Sequence, residues 1–241
     1  MISERTFAET HSNFWRAILP RSEQMVRMLN ASRTRDMLAF DSDRGAGNRG
    51  LINETASRIV RSALTRQLEI NKLATEDIKA ATSDAHKFIA RFRSPPGMEV
   101  PELEASEIHE SMQLASRLKQ QLAAYWSTLS MFVSIPGAGI LDSCEADGVS
   151  GRTIIEVKAG DRLCRSRDIR QVLTYVGLAK LAAESPKIQT ICILNPRVGW
   201  NLTAEVEVVL DMAGGKTFDA FIADFENYVT ECPEGVPIDP A

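Results

Sequence analysis

The chain has 241 residues, of which 44% are hydrophobic and 25% are charged, and its formal net charge is -4. This composition suits one large globular domain or a core with a helical companion, and it excludes a chain coated in basic residues. The N-terminus lacks a basic segment followed by an apolar one, and no window approaches the length of a bilayer span. We therefore expect a cytoplasmic protein without a membrane partner.

The first 130 residues show apolar side chains at helical spacing and little β-alternation. Four helical blocks are predicted, the first with an interruption near Pro20: residues 4–30, 53–73, 75–92 and 102–131. The glycine-rich and proline-rich stretches between them are predicted to be a flexible loop and a break between helices: residues 41–50 and 94–101. Residues 1–101 are thus predicted to form a helical N-terminal region.

Beyond residue 130 the pattern changes to short apolar runs typical of strands. The predicted elements are three strands, a helix, a fourth strand, a further strand and a closing amphipathic helix: residues 131–135, 139–148, 152–159, 167–184, 187–194, 202–211 and 217–231. With the helix before them, the first of these elements give the order αβββαβ. The predicted fold class is therefore α/β, with a mixed sheet in a core spanning residues 102–241.

The third predicted strand ends in Glu156-Val157-Lys158. Alternate side chains of a strand point to the same face, so the Glu156 carboxylate and the Lys158 ammonium are expected to emerge together. If Ser150 and Gly151 form a two-residue hairpin turn, Asp147 faces the same side as Glu156 and is its diagonal neighbour. Two carboxylates that converge in this way suit Mg²⁺ or Mn²⁺, which prefer oxygen ligands.

The predicted helix that follows carries Asp168, Gln171 and Tyr175. At positions i, i+3 and i+7 these three residues share one helix face. Neither an E-x-K nor a Q-x-x-x-Y pattern is specific by itself, since a solvated strand edge or an ordinary helix produces either one. Their order and spacing, with Asp147 ahead of them, favour a single metal-dependent site.

Over residues 131–197 this arrangement resembles the PD-(D/E)XK nuclease superfamily, in particular its RecB-like branch with the Q-x-x-x-Y signature. Asp147 matches the first acid, Glu156 the second and Lys158 the lysine, while Ala146 stands where the motif has proline. The resemblance implies a restriction-endonuclease-like core and a Mg²⁺- or Mn²⁺-dependent nuclease. Asp147, Glu156 and the Val157 carbonyl would bind the metal, Lys158 would position or deprotonate the attacking water, and Gln171 and Tyr175 would hold the motif strand and substrate.

Two assignments stay open at this point. Asp142, in the stretch Gly139-Ile140-Leu141-Asp142, is a rival first acid, although strand parity in the predicted register turns it to the opposite face. Relatives often carry another acid on a helix before the sheet, and the sequence does not separate three candidates for it: Glu54, Glu107 and Glu110.

Four arginines follow the motif strand: Arg162, Arg165, Arg167 and Arg170. Guanidinium groups pair with phosphate in bidentate fashion, so we predict that this cluster contacts nucleic acid. Aromatic residues alternating with basic ones on one strand face, which would indicate a base-stacking platform, are not seen, and Phe88 and Phe92 are predicted to be core residues. The cysteines are scattered, which predicts reduced thiols and no iron-sulfur cluster: Cys144, Cys164, Cys192 and Cys232.

The residues themselves do not distinguish DNA from RNA as substrate. The resemblance favours DNA over RNA and suggests a role in phage defence, restriction or DNA repair. A chain without a recognisable helicase module is expected to work with a partner such as a helicase or an ATPase. The alternative function is a catalytically silent subunit that binds nucleic acid or protein in a larger defence or repair complex.

Overall fold

A computed structural model describes residues 1–40, 48–91, 100–182 and 186–231. It is an α/β structure with nine helices in these ranges: α1 (Glu4–Thr10), α2 (Ser12–Ile18), α3 (Ser22–Ser32), α4 (Arg49–Arg66), α5 (Thr75–Arg91), α6 (Ala105–Gln121), α7 (Ser166–Leu181), α8 (Val206–Gly214) and α9 (Phe218–Glu231). Six strands accompany them: β1 (Thr34–Arg35), β2 (Leu129–Ile135), β3 (Cys144–Ser150), β4 (Thr153–Val157), β5 (Thr190–Asn195) and β6 (Trp200–Glu205). Most of the predicted loop at 41–50 and of the predicted break at 94–101 lies outside the described residues, as do Phe92 and Cys232.

The strands form one mixed sheet in the order β1-β6-β5-β4-β3-β2. Strands β4 and β5 are parallel and are connected through α7, whereas the other neighbouring strands are antiparallel. From α6 to β5 the elements follow the predicted order of helix, three strands, helix and strand. The α/β class with a mixed sheet is therefore confirmed.

Hydrophobic clusters cover both faces of the sheet. The consecutive residues Ile154 and Ile155 belong to different clusters, as expected for neighbours in a strand. Helices α1 to α3 and α7 to α9 pack on one face, and helices α4 to α6 on the other. The first 101 residues thus contribute helices to both faces, so the boundary predicted at residue 101 does not separate two hydrophobic cores.

The hairpin turn differs from the prediction by one residue. Ser150 pairs with Thr153, so the turn residues are Gly151 and Arg152 rather than Ser150 and Gly151. Gly151 has φ +57°, a conformation that glycine adopts without a steric penalty. The pairing of Gly148 with Ile155 then brings Asp147 directly opposite Glu156 instead of diagonal to it. The pairing register of β3 with β4 differs from the predicted register by two positions. A shift by an even number leaves Asp147 and Glu156 on the same face of the sheet.

The segment predicted as a strand at 202–211 is wrong in its second half. Strand β6 ends at Glu205 and helix α8 begins at Val206. The buried residues of α8 recur at i, i+3, i+4 and i+7, which is the period of a helix: Val206, Val209, Leu210 and Ala213. The apolar character of these residues is also compatible with a strand, but their spacing is that of a helix, and the segment is helical.

Other helix and strand boundaries also differ from the predicted ones. The first block consists of three short helices, α1 to α3, and α6 stops at Gln121, ten residues before the predicted end. Helix α4 ends where Gln67 takes a left-handed conformation with φ 55°. Strand β3 begins only at Cys144, and the residues ahead of it form a turn in which Ala138 bridges to Leu141.

Strands β2 and β3 rotate about their axes near Phe132 and Asp147, so that side chains two residues apart no longer share a face of the sheet. In β2, Leu129 and Met131 pack with the cluster of helices α4 to α6, whereas Val133 packs with the opposite cluster. Residues two apart in a regular strand share a face, so the strand must rotate between them. Phe132 has φ +54°, which is rare for a bulky residue and accounts for the rotation.

Arg197 is the main polar anchor between the sheet and the helices α4 and α6. Its side chain is 1% exposed. It donates to the Ala159 carbonyl after the motif strand (3.1 Å), to Glu110 on α6 (2.9 Å) and to Asn53 on α4 (3.1 Å). These bonds fix the loop that follows Lys158 relative to both helices, so Arg197 has a structural role.

We expect Arg197→Met to lower the free energy of unfolding by about 3–5 kcal/mol, because it leaves the Glu110 carboxylate buried without its cation. Chemical denaturation measures the change. The control is Arg152→Met in the exposed hairpin turn, for which we expect a change within about 0.5 kcal/mol. Equal stability of the two variants would contradict the structural role of Arg197.

Candidate active site

The candidate site begins where the backbone pairing of β3 and β4 ends. Beyond the pair Gly148 and Ile155, the Asp147 side chain accepts the amide hydrogen of Val157, with 2.7 Å between Oδ2 and the nitrogen. The first predicted acid is thus attached to the strand that carries Glu156 and Lys158. The structure brings all three motif residues together, as the sequence predicts.

Glu156 and Lys158 form a buried ion pair at the end of β4. The Lys158 Nζ donates to Glu156 Oε1 at 2.6 Å, and Glu156 is only 2% exposed. The other oxygen of Glu156, Oε2, is buried and has no hydrogen-bond partner among the described residues. A buried carboxylate oxygen without a partner is energetically costly, and it is a free ligand for a cation.

The predicted Q-x-x-x-Y residues complete the surroundings of Lys158. Gln171 accepts from Lys158 through Oε1 at 2.7 Å and donates through Nε2 to the Tyr175 hydroxyl at 2.8 Å. Burial, reinforced by the negative charges of Glu156 and Glu4, holds the pKa of Tyr175 well above its usual value. Gln171 therefore connects the lysine to a tyrosine that stays protonated.

Asp168 lies on the same face of α7, as predicted from its spacing. It is 4.0 Å from the Lys158 Nζ and accepts from both terminal nitrogens of Arg162, one of them at 2.8 Å. Burial raises the pKa of Asp168, but the hydrogen bonds from Arg162 and from the Arg165 amide outweigh it and leave the pKa below its usual value. Asp168 stays ionised and helps to hold Lys158.

Lys158 is surrounded by carboxylates, and its protonation state follows from them. Burial lowers its pKa, but the Glu156 carboxylate, with smaller contributions from Asp168 and Asp147, outweighs burial and raises it. Lys158 is therefore an ammonium at neutral pH. In this arrangement it orients groups and stabilises negative charge, whereas deprotonation of water by Lys158 is not favoured.

The surroundings of Asp147 favour its neutral form, whereas those of Lys158 favour the charged form. Its burial and the nearby Glu156 carboxylate raise its pKa well above the usual value, although the Val157 amide and Lys158 partly oppose them. Burial and the neighbouring negative charge thus make the ionised form of Asp147 costly, and a cation bound beside Asp147 would relieve this cost.

Sequence reasoning missed two residues of helix α1. Glu4 Oε1 accepts from Gln171 Nε2 at 3.2 Å and lies 3.5 Å from the Tyr175 hydroxyl. Arg5 lines two cavities, of about 690 and 310 Å³, that lie on either side of the motif residues. Burial lowers the pKa of Arg5, but neighbouring Glu156, Tyr175 and Glu4 raise it overall. No local pattern links residues 4 and 5 to a motif more than 140 positions away.

The larger cavity decides among the candidates for the helix-borne acid. Glu54 on α4 lines it together with Asp147. Burial raises the pKa of Glu54, and Arg58 partly opposes the effect. Glu107 instead accepts from the Glu104 amide at the start of α6 and from Asn48, while Glu110 binds Arg197. Glu54 is therefore the helix-borne acid that faces the site.

Asp142, the rival first acid, also lines this cavity. It precedes β3, so the strand parity used in the sequence argument does not apply to it, and its amide donates to the Ile2 carbonyl at 2.9 Å. Asp147, rather than Asp142, contacts the motif strand. The geometry favours Asp147 as the first acid.

The four predicted nucleic-acid-binding arginines do not form one open patch. Arg162 is engaged by Asp168, and Arg167 forms an ion pair with Glu9 at 3.1 Å. Arg165 is exposed. Arg170 is half-buried, and burial lowers its pKa. A contact of these arginines with nucleic acid stays a prediction, and both Arg165 and Arg167 are exposed to solvent.

The donor set fits a hard cation. Within the described ranges no three histidine, cysteine, aspartate or glutamate side chains are grouped closely enough to hold a metal ion. Asp147 nevertheless lies opposite Glu156 in the register of β3 and β4, the charge of Glu156 acts on it, and Glu156 Oε2 has no partner among the described residues. Oxygen ligands of this kind suit Mg²⁺ or Mn²⁺. The predicted ligand role of the Val157 carbonyl stays a prediction.

The three cysteines in the described ranges are free and buried: Cys144, Cys164 and Cys192. Burial, with nearby carboxylates, raises the pKa of Cys144 and of Cys164 to about 12, which keeps both thiols protonated and unreactive.

Comparisons of the chain with protein-family models, with curated proteins and with solved structures found no match. In the part of the chain that the structure describes, no helix is long and apolar enough to cross a membrane.

We expect Asp147→Asn to stabilise the metal-free protein at neutral pH by on the order of 1 kcal/mol, because it removes the repulsion with Glu156 and keeps an oxygen for the Val157 amide. At pH below the usual aspartate pKa the side chain is protonated in folded and unfolded chains. As pH rises, the unfolded chain loses its proton first, so the wild type loses stability up to the raised folded-state pKa.

Urea denaturation between pH 4 and pH 8 measures this effect. The difference between Asp147→Asn and wild type should widen with increasing pH. The exposed Asp211→Asn on α8 serves as control, and we expect no comparable pH-dependent gain from it. A gain that is constant over this pH range would show that Asp147 is not the strained carboxyl.

Proposed function

We propose that the chain is a metal-dependent nuclease of the PD-(D/E)XK type that hydrolyses phosphodiester bonds. The observation that carries the proposal is that Asp147 of β3 accepts from the backbone of the motif strand, at the end of which Glu156 and Lys158 form an ion pair. Gln171 of the following helix accepts from the same lysine and donates to the Tyr175 hydroxyl. Four of the five motif residues are thereby joined by side-chain hydrogen bonds, and Asp147 is linked to them through the Val157 amide.

The arrangement of elements supports a restriction-endonuclease-like core. Helix α6, the antiparallel strands β2 to β4, helix α7 and the parallel strand β5 follow one another in the order expected for such a core. The motif residues lie at the end of the central strand β4, where the sheet opens towards the cavities. We propose this core for residues 102–241, with the C-terminal strand and helices included.

Asp147 and Glu156 would hold Mg²⁺ or Mn²⁺, with Glu54 as the further acid of the cavity. A bound divalent ion would supply charge neutralisation at the phosphate and a more acidic water. Lys158, fixed by Glu156 and Gln171, holds an ammonium where negative charge develops on the phosphate. Arg5, which lines both cavities, adds a second cation on the substrate side.

The proposed substrate is DNA, which the resemblance to the nuclease superfamily favours over RNA. A role in phage defence, restriction or repair, and a helicase or ATPase partner, stay predictions. What supports a nucleic-acid substrate in the structure is the presence of several cationic side chains on the rims of the two cavities: Arg5, Lys87, Arg91, Arg162 and Arg167.

We expect the wild type to cut DNA with Mg²⁺ or Mn²⁺ and not with EDTA, and we expect Glu156→Ala and Lys158→Ala to reduce cutting by about 100-fold or more. Gel assays on supercoiled, linear and single-stranded DNA and on RNA measure the activity and name the substrate. The matched controls are two exposed residues, Glu207→Ala and Lys72→Ala, for which we expect wild-type rates.

If the wild type and the two site variants bind nucleic acid equally and none of them cuts under any metal condition, the chain is instead a silent binding subunit. Cutting that persists in Glu156→Ala would overturn the assignment of the active site.

A further inference from the structure

The cavity of about 690 Å³ has a second wall that the proposed metal site does not use. This wall is formed by Arg58 on α4, Phe88 on α5 and Phe132 on β2. The Arg58 guanidinium carbon lies 5.1 Å from the centre of the Phe88 ring and 4.9 Å from that of Phe132. Both rings therefore make cation–π contacts with the Arg58 guanidinium, which lines the cavity.

Arg58 is unusual for a charged residue because it is only 7% exposed. Its ion pair with Glu54, 2.7 Å between the closest atoms, occupies one terminal nitrogen, and its buried Nε has no hydrogen-bond partner among the described residues. A buried guanidinium donor without a partner is costly unless a ligand fills it. The most natural ligand for such a fork is a phosphate group.

Phe132 shows that this wall is built at an energetic cost. A bulky residue at φ +54° carries strain of about 1–3 kcal/mol, and such strain concentrates at functional sites. The positive φ accompanies the turn of β2 beside Asp147, and the ring lies under both Arg58 and Arg61. The positive φ of Phe132 thus influences the position of Asp147 and also that of the wall that contains Arg58.

We propose that Arg58 forms a phosphate-binding subsite for a phosphate of the DNA strand other than the one being cleaved. The inference rests on the proposed nuclease function, since the subsite opens into the cavity that Asp147 and Glu54 also line. Lys87 and Arg91 also line this cavity, and Lys87 pairs there with Asp84. In this proposal a strand with one phosphate at the carboxylates has another phosphate at Arg58.

The test measures DNA binding in EDTA, where no metal-dependent cleavage occurs, by fluorescence anisotropy of labelled single-stranded oligonucleotides. We expect Arg58→Met to weaken binding roughly tenfold or more. We also expect the slope of log K against log salt to become shallower by about 0.7, the value for one phosphate contact on a single strand. Inorganic phosphate should compete with the oligonucleotide for binding to the wild type but not for binding to Arg58→Met.

The matched control is Arg61→Met, which removes the same charge one turn along the same helix. Arg61 is also over the Phe132 ring, but it pairs with Asp84 and does not line the cavity. We expect less than a threefold change in affinity from it. Because Arg58→Met removes a buried group, melting temperatures are measured alongside, and Arg58→Lys, which keeps the charge and loses the fork, should retain the salt slope with reduced affinity.

Oligonucleotides with a 5′-phosphate, a 3′-phosphate or hydroxyl ends identify the source of the phosphate. A loss in Arg58→Met that is equal for all three assigns an internal phosphodiester, and a loss confined to one end assigns that terminal phosphate. Equal affinities and salt slopes for Arg58→Met and Arg61→Met, or no competition by phosphate on the wild type, would overturn the subsite. Metal-dependent cleavage by the wild type would still establish the nuclease in that case.

Discussion

The site depends on one cation, the Lys158 ammonium, because it lies among three carboxylates that burial would otherwise disfavour. Glu156 is in direct contact with it, Asp168 is 4.0 Å away, and the charge of Asp147 also acts on it. Gln171 fixes the ammonium from the side of α7. Arg162 pairs with Asp168 and the charge of Arg5 lies near Glu156, yet the pKa of Asp147 stays raised and Glu156 Oε2 lacks a partner among the described residues. The unpartnered oxygen beside a carboxyl that burial disfavours as an anion is the physical reason to expect a divalent ion.

The position of the site follows from the turn of β2 and β3. Strand β2 rotates about its axis at Phe132, and the backbone pairing of β3 with β4 does not continue from Gly148 to Asp147. The sheet is therefore open on the side of its edge strand, β2. Helices from both faces then reach the same cavity: α1 brings Glu4 and Arg5, and α4 brings Glu54 and Arg58. The helices of residues 1–91 are therefore part of the candidate active site and form two of its walls.

The motif residues could be predicted because their relations are local. Alternation along β4 places Glu156 beside Lys158, and helical spacing places Asp168, Gln171 and Tyr175 on one face. The predicted face of Asp147 was correct although the predicted turn was not, since the error in register was even. Glu4, Arg5 and Arg58 could not be predicted, because their approach to the site depends on how separate helices pack on the sheet. The same holds for Phe88, predicted as core, which forms a cavity wall with Phe132 from another element.

Direct titration of the protein with Mn²⁺ by calorimetry tests whether this group of carboxylates is a metal centre. We expect saturable binding by the wild type that tightens as pH rises, because the raised pKa of Asp147 makes binding release a proton. Binding should be lost in Glu156→Gln, with the fold confirmed by circular dichroism. Equal Mn²⁺ binding by wild type and Glu156→Gln, or none by either, would contradict a metal centre at the end of β4.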